Sequence, residues 1–156
     1  MQHRATKLLP DITNLSYSER LQKLNLPTLV YRRLRGDMIE VFKILHNFYN
    51  PNVCDFLPRC QYPSTRGHNY KLFIQPSRTN TRRNFFSIRT SDIWNHLPRC
   101  VVNAPTIKSF EHRLDTCWSD IRLKFDLNSK ICYSEFKALN NADYDIYGEL
   151  DTEVLS

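Results

Sequence analysis

Basic and aromatic side chains concentrate in the middle of this sequence, in a pattern that could bind a nucleic acid. Residues 56–91 form a window of 36 positions without one aspartate or glutamate. Basic side chains neutralise phosphates in a way that ignores base sequence and weakens with salt, and aromatic rings can stack on unpaired bases. The window holds the basic residues Arg59, Arg66, Lys71, Arg78, Arg82, Arg83 and Arg89 and the aromatic residues Phe56, Tyr62, Tyr70, Phe73, Phe85 and Phe86.

Most of the basic side chains in this window are predicted to contact RNA or DNA. The predicted contacts are Arg66, Lys71, Arg78, Arg82, Arg83 and Arg89, with Tyr62 and Tyr70 as the stacking rings. We expect Phe73, Phe85 and Phe86 in the core instead, because phenylalanine is among the most often buried residue types. The alternative is a basic surface that has no dedicated partner.

A second group of arginines lies on a predicted helix. One face of a helix cannot hold Arg32, Arg33 and Arg35 together, and Arg32 and Arg35 are the further predicted contacts. The alternative is a solvated helix face on which Arg33 pairs with Asp37 four residues later, an interaction worth about 0.2–0.5 kcal/mol. Arg35, Gly36 and Asp37 also spell an adhesion tripeptide, but such a motif needs an exposed turn rather than a helix.

The net charge of +6 conceals a difference between the two ends of the chain. Residues 1–113 hold 18 Lys/Arg and 7 Asp/Glu, whereas residues 114–156 hold 4 and 9. A basic body is expected to attract an anionic partner. The acidic stretch 140–156 either folds back on the basic surface or solvates the end of the chain.

No catalytic or metal-binding pattern accompanies the basic residues. Three glycines are too few for a glycine-rich phosphate loop. Cys54, Cys60 and His68 lack the spacing of a zinc finger or knuckle. Cys100 could pair with His96 or His112, but five cysteines and five histidines offer such pairs by chance. We therefore expect no cofactor, no metal and no enzymatic activity of the chain on its own.

The sequence also predicts where the protein resides. The cysteines are odd in number (Cys54, Cys60, Cys100, Cys117 and Cys132), and the first residues lack the apolar centre of a secretion signal. Both observations favour reduced thiols inside the cell, in the nucleus or the cytoplasm. No apolar run approaches the roughly 18 residues that a membrane span needs, so no membrane partner is expected.

Apolar periodicity predicts the elements that position these side chains. Residues 16–24 read as a short helix in which Ser16 and Glu19 form a capping box. Apolar residues recur at three- and four-residue steps from Val30 to Phe48, and two more helices are predicted over 84–97 and 104–118. Pro98 ends the first of these two helices, and Thr106 caps the second.

The predicted fold class is mainly α. We expect a small helical domain over residues 1–126, with a short β-hairpin or extended arm near residues 65–85, in which 69–75 alternates like a strand. Residues 127–156 are predicted to be an acidic, loosely structured tail.

The segment 24-LNLPTLVYRRLRGDMIEVFKILHNFYNP-51 resembles the region that follows the polymerase core in reverse transcriptases of non-LTR retrotransposons, of the LINE-type and jockey-like kind. Three later pieces agree in order and spacing: 65-TRGHNYKLF-73, 83-RNFFSIRTSDIWNHLPRCVVNAP-105 and 109-SFEHRLD-115. The start, 2-QHRATKLLP-10, resembles the segment just before these motifs. The resemblance spans residues 2–125.

This resemblance implies a non-catalytic C-terminal fragment of an RNA-directed DNA polymerase from a mobile element. Polymerisation in that family depends on paired aspartates that hold magnesium, and the sequence has no Asp-Asp pair. The expected function is nucleic-acid binding through the basic arm. The alternatives are a protein-interaction or structural piece, with Phe42, Leu45 and Phe48 as the surface for a protein partner, and a functionless remnant.

Overall fold

Seven α-helices form the framework of the described part of the chain in the computed structural model, which describes residues 2–49, 56–60 and 68–136. The α-helices are α1 (Gln2–Thr6), α2 (Tyr17–Lys23), α3 (Leu29–Leu45), α4 (Asn80–Arg83), α5 (Phe86–Asn95), α6 (Arg99–Val102) and α7 (Ile107–Cys117). Short 3-10 turns lie at Pro10–Ile12, Arg122–Lys124 and Tyr133–Glu135. The predicted mainly helical class is confirmed. The domain boundary at residue 126 stays a prediction, although Tyr133 and Phe136 pack against the core beyond it.

Side-chain caps fix where the helices begin. Ser16 and Glu19 form the predicted capping box at α2, in which the Ser16 backbone N–H donates to the Glu19 carboxylate at 2.7 Å. The same contacts lower the pKa of Glu19. Thr106 caps α7 as predicted, and its hydroxyl accepts from the Ser109 N–H at 3.1 Å. Each cap satisfies backbone donors that a helix leaves unpaired at its start.

Helix α3 packs against both α5 and α7, and its apolar stripe forms the centre of the core. Met38, Val41 and Phe42 are fully buried, and the Phe42 ring stacks on Phe110 of α7 with centroids 4.3 Å apart. Phe48 is an exception to the predicted stripe: it follows the last helical residue and is 52% exposed.

The predicted surface for a protein partner on α3 is therefore wrong. Phe42 and Leu45 are buried inside this chain, at 0% and 2% exposure, and only Phe48 of the predicted trio reaches the surface. The apolar face of α3 is occupied by the chain's own helices, because α5 and α7 supply the partners that the stripe requires.

The Arg35-Gly36-Asp37 tripeptide lies within α3, as predicted. A Cβ atom added at Gly36 would meet nothing within 4 Å, so none of the described helices crosses closely at this glycine. The predicted Arg33–Asp37 pair is wrong, because the Asp37 carboxylate accepts two hydrogen bonds from Arg89 of α5. Arg89 of α5, and not Arg33 of α3, is therefore the partner of Asp37.

The predicted β-hairpin shrinks to one antiparallel bridge in the described part of the chain, between Arg59 and Leu72. On the other side of Leu72, the Asn95 side chain accepts from the Leu72 N–H and donates to the Leu72 carbonyl oxygen, each at 2.8 Å. The amide of Asn95 thus stands where a further strand would pair. The strand predicted over 69–75 is wrong, and residues 65–67 lie outside the described residues.

Two histidines are held neutral by the core. The Nε2 atom of His68 lies 3.1 Å from the Trp94 carbonyl oxygen, and that of His46 lies 3.1 Å from the Val102 carbonyl oxygen. A carbonyl only accepts, so each Nε2 carries the proton. Burial lowers the pKa of both side chains, most directly for His68, which is 1% exposed.

Stability should therefore fall in mild acid. An unfolded histidine takes up a proton below its ordinary pKa of about 6.5, whereas the folded His46 and His68 resist it. Stability is full above about pH 6.5 and is lost as the pH falls below it, by at most about 1.4 kcal/mol per pH unit for each histidine. Urea unfolding between neutral pH and mild acid measures this loss.

His68→Gln is the control variant, since it keeps an N–H donor for the Trp94 carbonyl but does not titrate. Its stability should depend less steeply on pH than that of the natural chain. If the stability of both proteins depended equally steeply on pH, His68 would not be a source of the acid sensitivity.

Candidate nucleic-acid interface

The structure divides the predicted contact residues between two surfaces. Arg78, Arg82 and Arg83 lie on or beside α4, whereas Arg32 and Arg35 line a groove between α3 and the segments near Asp115 and Lys124. Arg66 and Tyr62 lie outside the described residues. Lys71 is half-buried beside the β-bridge, where its carbonyl oxygen accepts from the Cys60 N–H.

Helix α4 and its flanking residues form an exposed basic turn. The Thr79 hydroxyl accepts from the Arg82 N–H at 3.3 Å and so starts the helix. The segment 78–85 is exposed throughout, and Arg78, Arg82 and Arg83 form no ion pair within the described residues. We call residues 78–85 the α4 surface. It presents three cations to solvent without a carboxylate of its own.

A groove of about 540 Å³ runs along the α4 surface. Phe56, Phe85 and Ile88 give it apolar walls. Gln75, Thr79 and Arg82 add polar groups, and none of the described residues that line it is acidic. Arg82 reaches across to Gln75, with 3.3 Å between its guanidinium and the amide oxygen. This combination of an apolar lining and a cationic rim suits a ligand that is flat, partly apolar and anionic.

The expectation that Phe73 and Phe85 lie in the core is wrong. They are 52% and 67% exposed, whereas Phe86 is half-buried and packs against the core as predicted. Phe85 occupies the cap position before the first residue of α5, so it falls outside the apolar stripe of that helix. The sequence prediction placed Phe85 inside a helix over 84–97, and apolar periodicity alone does not show that this helix begins at Phe86.

Arg89 is engaged within the fold. Its Nε and one terminal nitrogen donate to the two carboxylate oxygens of Asp37 at 2.9 and 2.8 Å, and its other terminal nitrogen donates to the Asn84 carbonyl at 2.8 Å. The Asp37 carboxylate raises the pKa of Arg89, and Asp37 itself is 9% exposed. Arg89, which was predicted to contact a nucleic acid, therefore joins α5 to α3 and neutralises the buried carboxylate of Asp37.

The groove beside α3 has mixed charge. Arg35 binds both carboxylate oxygens of Asp115, at 2.7 and 2.8 Å, and also reaches Glu111 at 3.2 Å. The hydrogen bond to Asp115 is the main reason that the pKa of Arg35 is raised. Arg32 and Lys124 line the same groove, whose volume is about 610 Å³. The two carboxylates beside Arg35 make this surface a poorer match for a polyanion than the α4 surface.

The ring of Tyr70 contacts two neighbours within the fold. His46 stacks on it with centroids 4.7 Å apart, and the Arg59 guanidinium lies 5.4 Å from the ring centroid. Arg59 also donates to the Leu45 carbonyl at 2.6 Å, at the end of α3. These neighbours compete with a base for the Tyr70 ring, whereas Phe85, at 67% exposure, offers an exposed ring on the α4 surface.

No group of three metal-binding side chains occurs within residues 2–49, 56–60 and 68–136. The four cysteines in these ranges, Cys60, Cys100, Cys117 and Cys132, form no disulfide. None of the described helices has the length and apolar character to cross a membrane.

Comparison with known proteins returned no match to any family model, any curated protein or any solved structure. The resemblance to non-LTR reverse transcriptases remains a hypothesis that rests on the order and spacing of the matching sequence segments.

Proposed function

We propose that this chain binds RNA or DNA through the α4 surface, without preference for base sequence. The observation that carries the proposal is the exposure of Arg78, Arg82 and Arg83 on one short turn, with no ion pair to any described residue. Cations held in this way are available to phosphates, and phosphate contacts carry no sequence information.

The neighbouring charges support the same proposal. The acid-free window surrounds α4 and ends at Asp92 of α5, and the Asp37 carboxylate of α3, which also contacts α5, is already neutralised by Arg89. Local repulsion between that carboxylate and a phosphate backbone is therefore reduced, which favours approach of a polyanion.

The resemblance to retrotransposon polymerases suggests the setting in which such binding is useful. We propose that the chain is a non-catalytic segment of that kind, which supplies contacts to a template or primer and performs no chemistry of its own. This proposal rests on the sequence segments that carry the resemblance, whereas the binding proposal rests on the α4 surface.

Replacing Arg82 and Arg83 by alanine tests the binding proposal. If each arginine neutralises one phosphate, the slope of log affinity against log salt should fall by about 1.4 for a single strand, because each contact contributes about 0.7. Titrations of a labelled oligonucleotide by fluorescence anisotropy, from about 50 to 200 mM salt, measure the slope.

Arg4→Ala/Lys7→Ala is the charge-matched control. It removes two exposed cations from the α1 region and has the same net charge as Arg82→Ala/Arg83→Ala. It should keep most of the slope. Arg82→Lys/Arg83→Lys retains the charges and should bind almost as the natural chain does. Equal losses in both alanine variants, or no binding by the natural chain at low salt, would refute the proposal.

A further inference from the structure

We infer that the α4 surface takes unpaired nucleotides, so that its preferred ligand is a single strand rather than a duplex. The inference rests on the proposed function and adds a role for the groove that Phe56, Phe85 and Ile88 line. A surface that bound only the phosphates of a nucleic acid would need basic side chains and no aromatic ring. Here an exposed aromatic ring, that of Phe85, lines the groove together with Arg82.

Phe85 is the residue on which a base would stack. Its side chain is 67% exposed, and in sequence it follows Arg82 and Arg83 by two or three positions. In a duplex both faces of every internal base are covered by neighbouring bases, so only the phosphates could reach this surface. An unpaired base can enter the groove while its phosphates remain on the arginines, and stacking on an aromatic ring contributes about 1–3 kcal/mol per base.

The polar groups of the groove favour the same class of ligand. Thr79 and Thr81 carry hydroxyls, and Gln75 carries an amide. Each of these groups can donate or accept a hydrogen bond. They can therefore meet the exposed edge of any of the bases, which agrees with binding that does not depend on sequence.

The start of α5 adds attraction for an anion at the same place. This helix has ten residues, no acidic side chain in its first turn and no side-chain hydrogen bond at its cap residue, Phe85. The positive end of its dipole therefore lies at the groove, beside Phe85 and Ser87, which line it. The helix end supplements the arginines and does not form a site without them.

Phe85→Ala tests the inference against two ligands. The single strand is a uridine oligonucleotide of about 16 nucleotides, at the upper end of common single-strand site sizes. The other ligand is a duplex of the same length. Loss of one stacked base should weaken binding of the single strand by about 5- to 150-fold. Binding of the duplex should change by less than about twofold, and the salt slope should stay the same, because stacking releases no counterions.

Phe48→Ala is the matched control, since it removes an equally apolar ring that is 52% exposed and does not line the groove. It should bind both ligands as the natural chain does. Phe85→Trp should keep the preference for the single strand and report on it directly. Trp94 and Trp118 are buried at 0% and 1% exposure, so an added single strand should quench chiefly the fluorescence of the new tryptophan.

The outcomes separate this inference from the proposed function. If the natural chain binds neither ligand, the proposed function fails and the inference fails with it. If it binds both ligands and Phe85→Ala changes neither affinity, or lowers both equally, the inference alone is overturned. A selective loss for the single strand supports both.

Discussion

Replacing Phe42 with alanine should lower the free energy of unfolding by about 3–5 kcal/mol. Phe42 is fully buried on α3, and its ring stacks between Phe110 and His46 with centroid distances of 4.3 and 4.1 Å. Removing the ring leaves a cavity where α3 meets α7, and the neighbouring rings lose their contacts. Denaturation in urea, followed by far-UV circular dichroism, measures the change.

Phe48→Ala is the control for this experiment, because it removes the same atoms from a side chain that is 52% exposed. It should change the free energy of unfolding by only about 0.5 kcal/mol, as surface substitutions do. Similar losses for both variants would contradict the placement of Phe42 at the centre of the core.

Replacing Arg89 with alanine should cost about 3 kcal/mol of folding free energy, near the lower end for breaking a buried ion pair. The Asp37 side chain is only 11% exposed, and Arg89 binds both of its carboxylate oxygens. Without Arg89 that carboxylate remains largely shielded from water and lacks its cation. Urea denaturation at neutral pH measures the cost.

Two further variants show whether the missing cation is the cause. Arg35→Ala breaks a similar bidentate pair, but its partner Asp115 is 45% exposed and can be solvated by water, so the loss should be about 1 kcal/mol or less. Asp37→Leu/Arg89→Met replaces both charges with apolar groups and should recover most of the stability that Arg89→Ala loses. Equal losses of stability in Arg35→Ala and Arg89→Ala would contradict the argument that the burial of Asp37 sets the larger cost.

The helices could be predicted from the sequence because their signals are local. The capping box at Ser16, the cap at Thr106 and the apolar spacing of Met38, Phe42 and Leu45 are each contained within one or two turns. Periods of three and four residues report directly on which side of a helix is buried. The structure accordingly confirms the mainly α class.

The contacts that could not be predicted depend on distant residues. Asp37 pairs with Arg89, 52 positions away, rather than with Arg33 on the preceding turn of α3. Leu72 pairs with the side chain of Asn95, which removes the need for a second strand. Neither choice can be read from spacing, because each is decided by how the helices pack.

In the candidate site, too, some features could be predicted from the sequence and others depend on packing. Composition located the acid-free window, and the arginines of the α4 surface lie exposed as a binding role requires. Composition could not distinguish Phe85, at 67% exposure, from buried rings, or show that Tyr70 is covered by His46 and Arg59. Exposure and coverage are properties of packing, so they appear only in the folded chain.

The start of α3 depends on residues that are synthesised much later. The buried hydroxyl of Thr28 donates to the Leu123 carbonyl at 2.8 Å, and the Thr28 backbone N–H donates to the Lys124 carbonyl at the same distance. A chain growing on the ribosome therefore carries its longest described helix for 95 residues before these anchors exist. Because such distant contacts must wait for the rest of the polypeptide, the core should close only after Lys124 has left the exit tunnel.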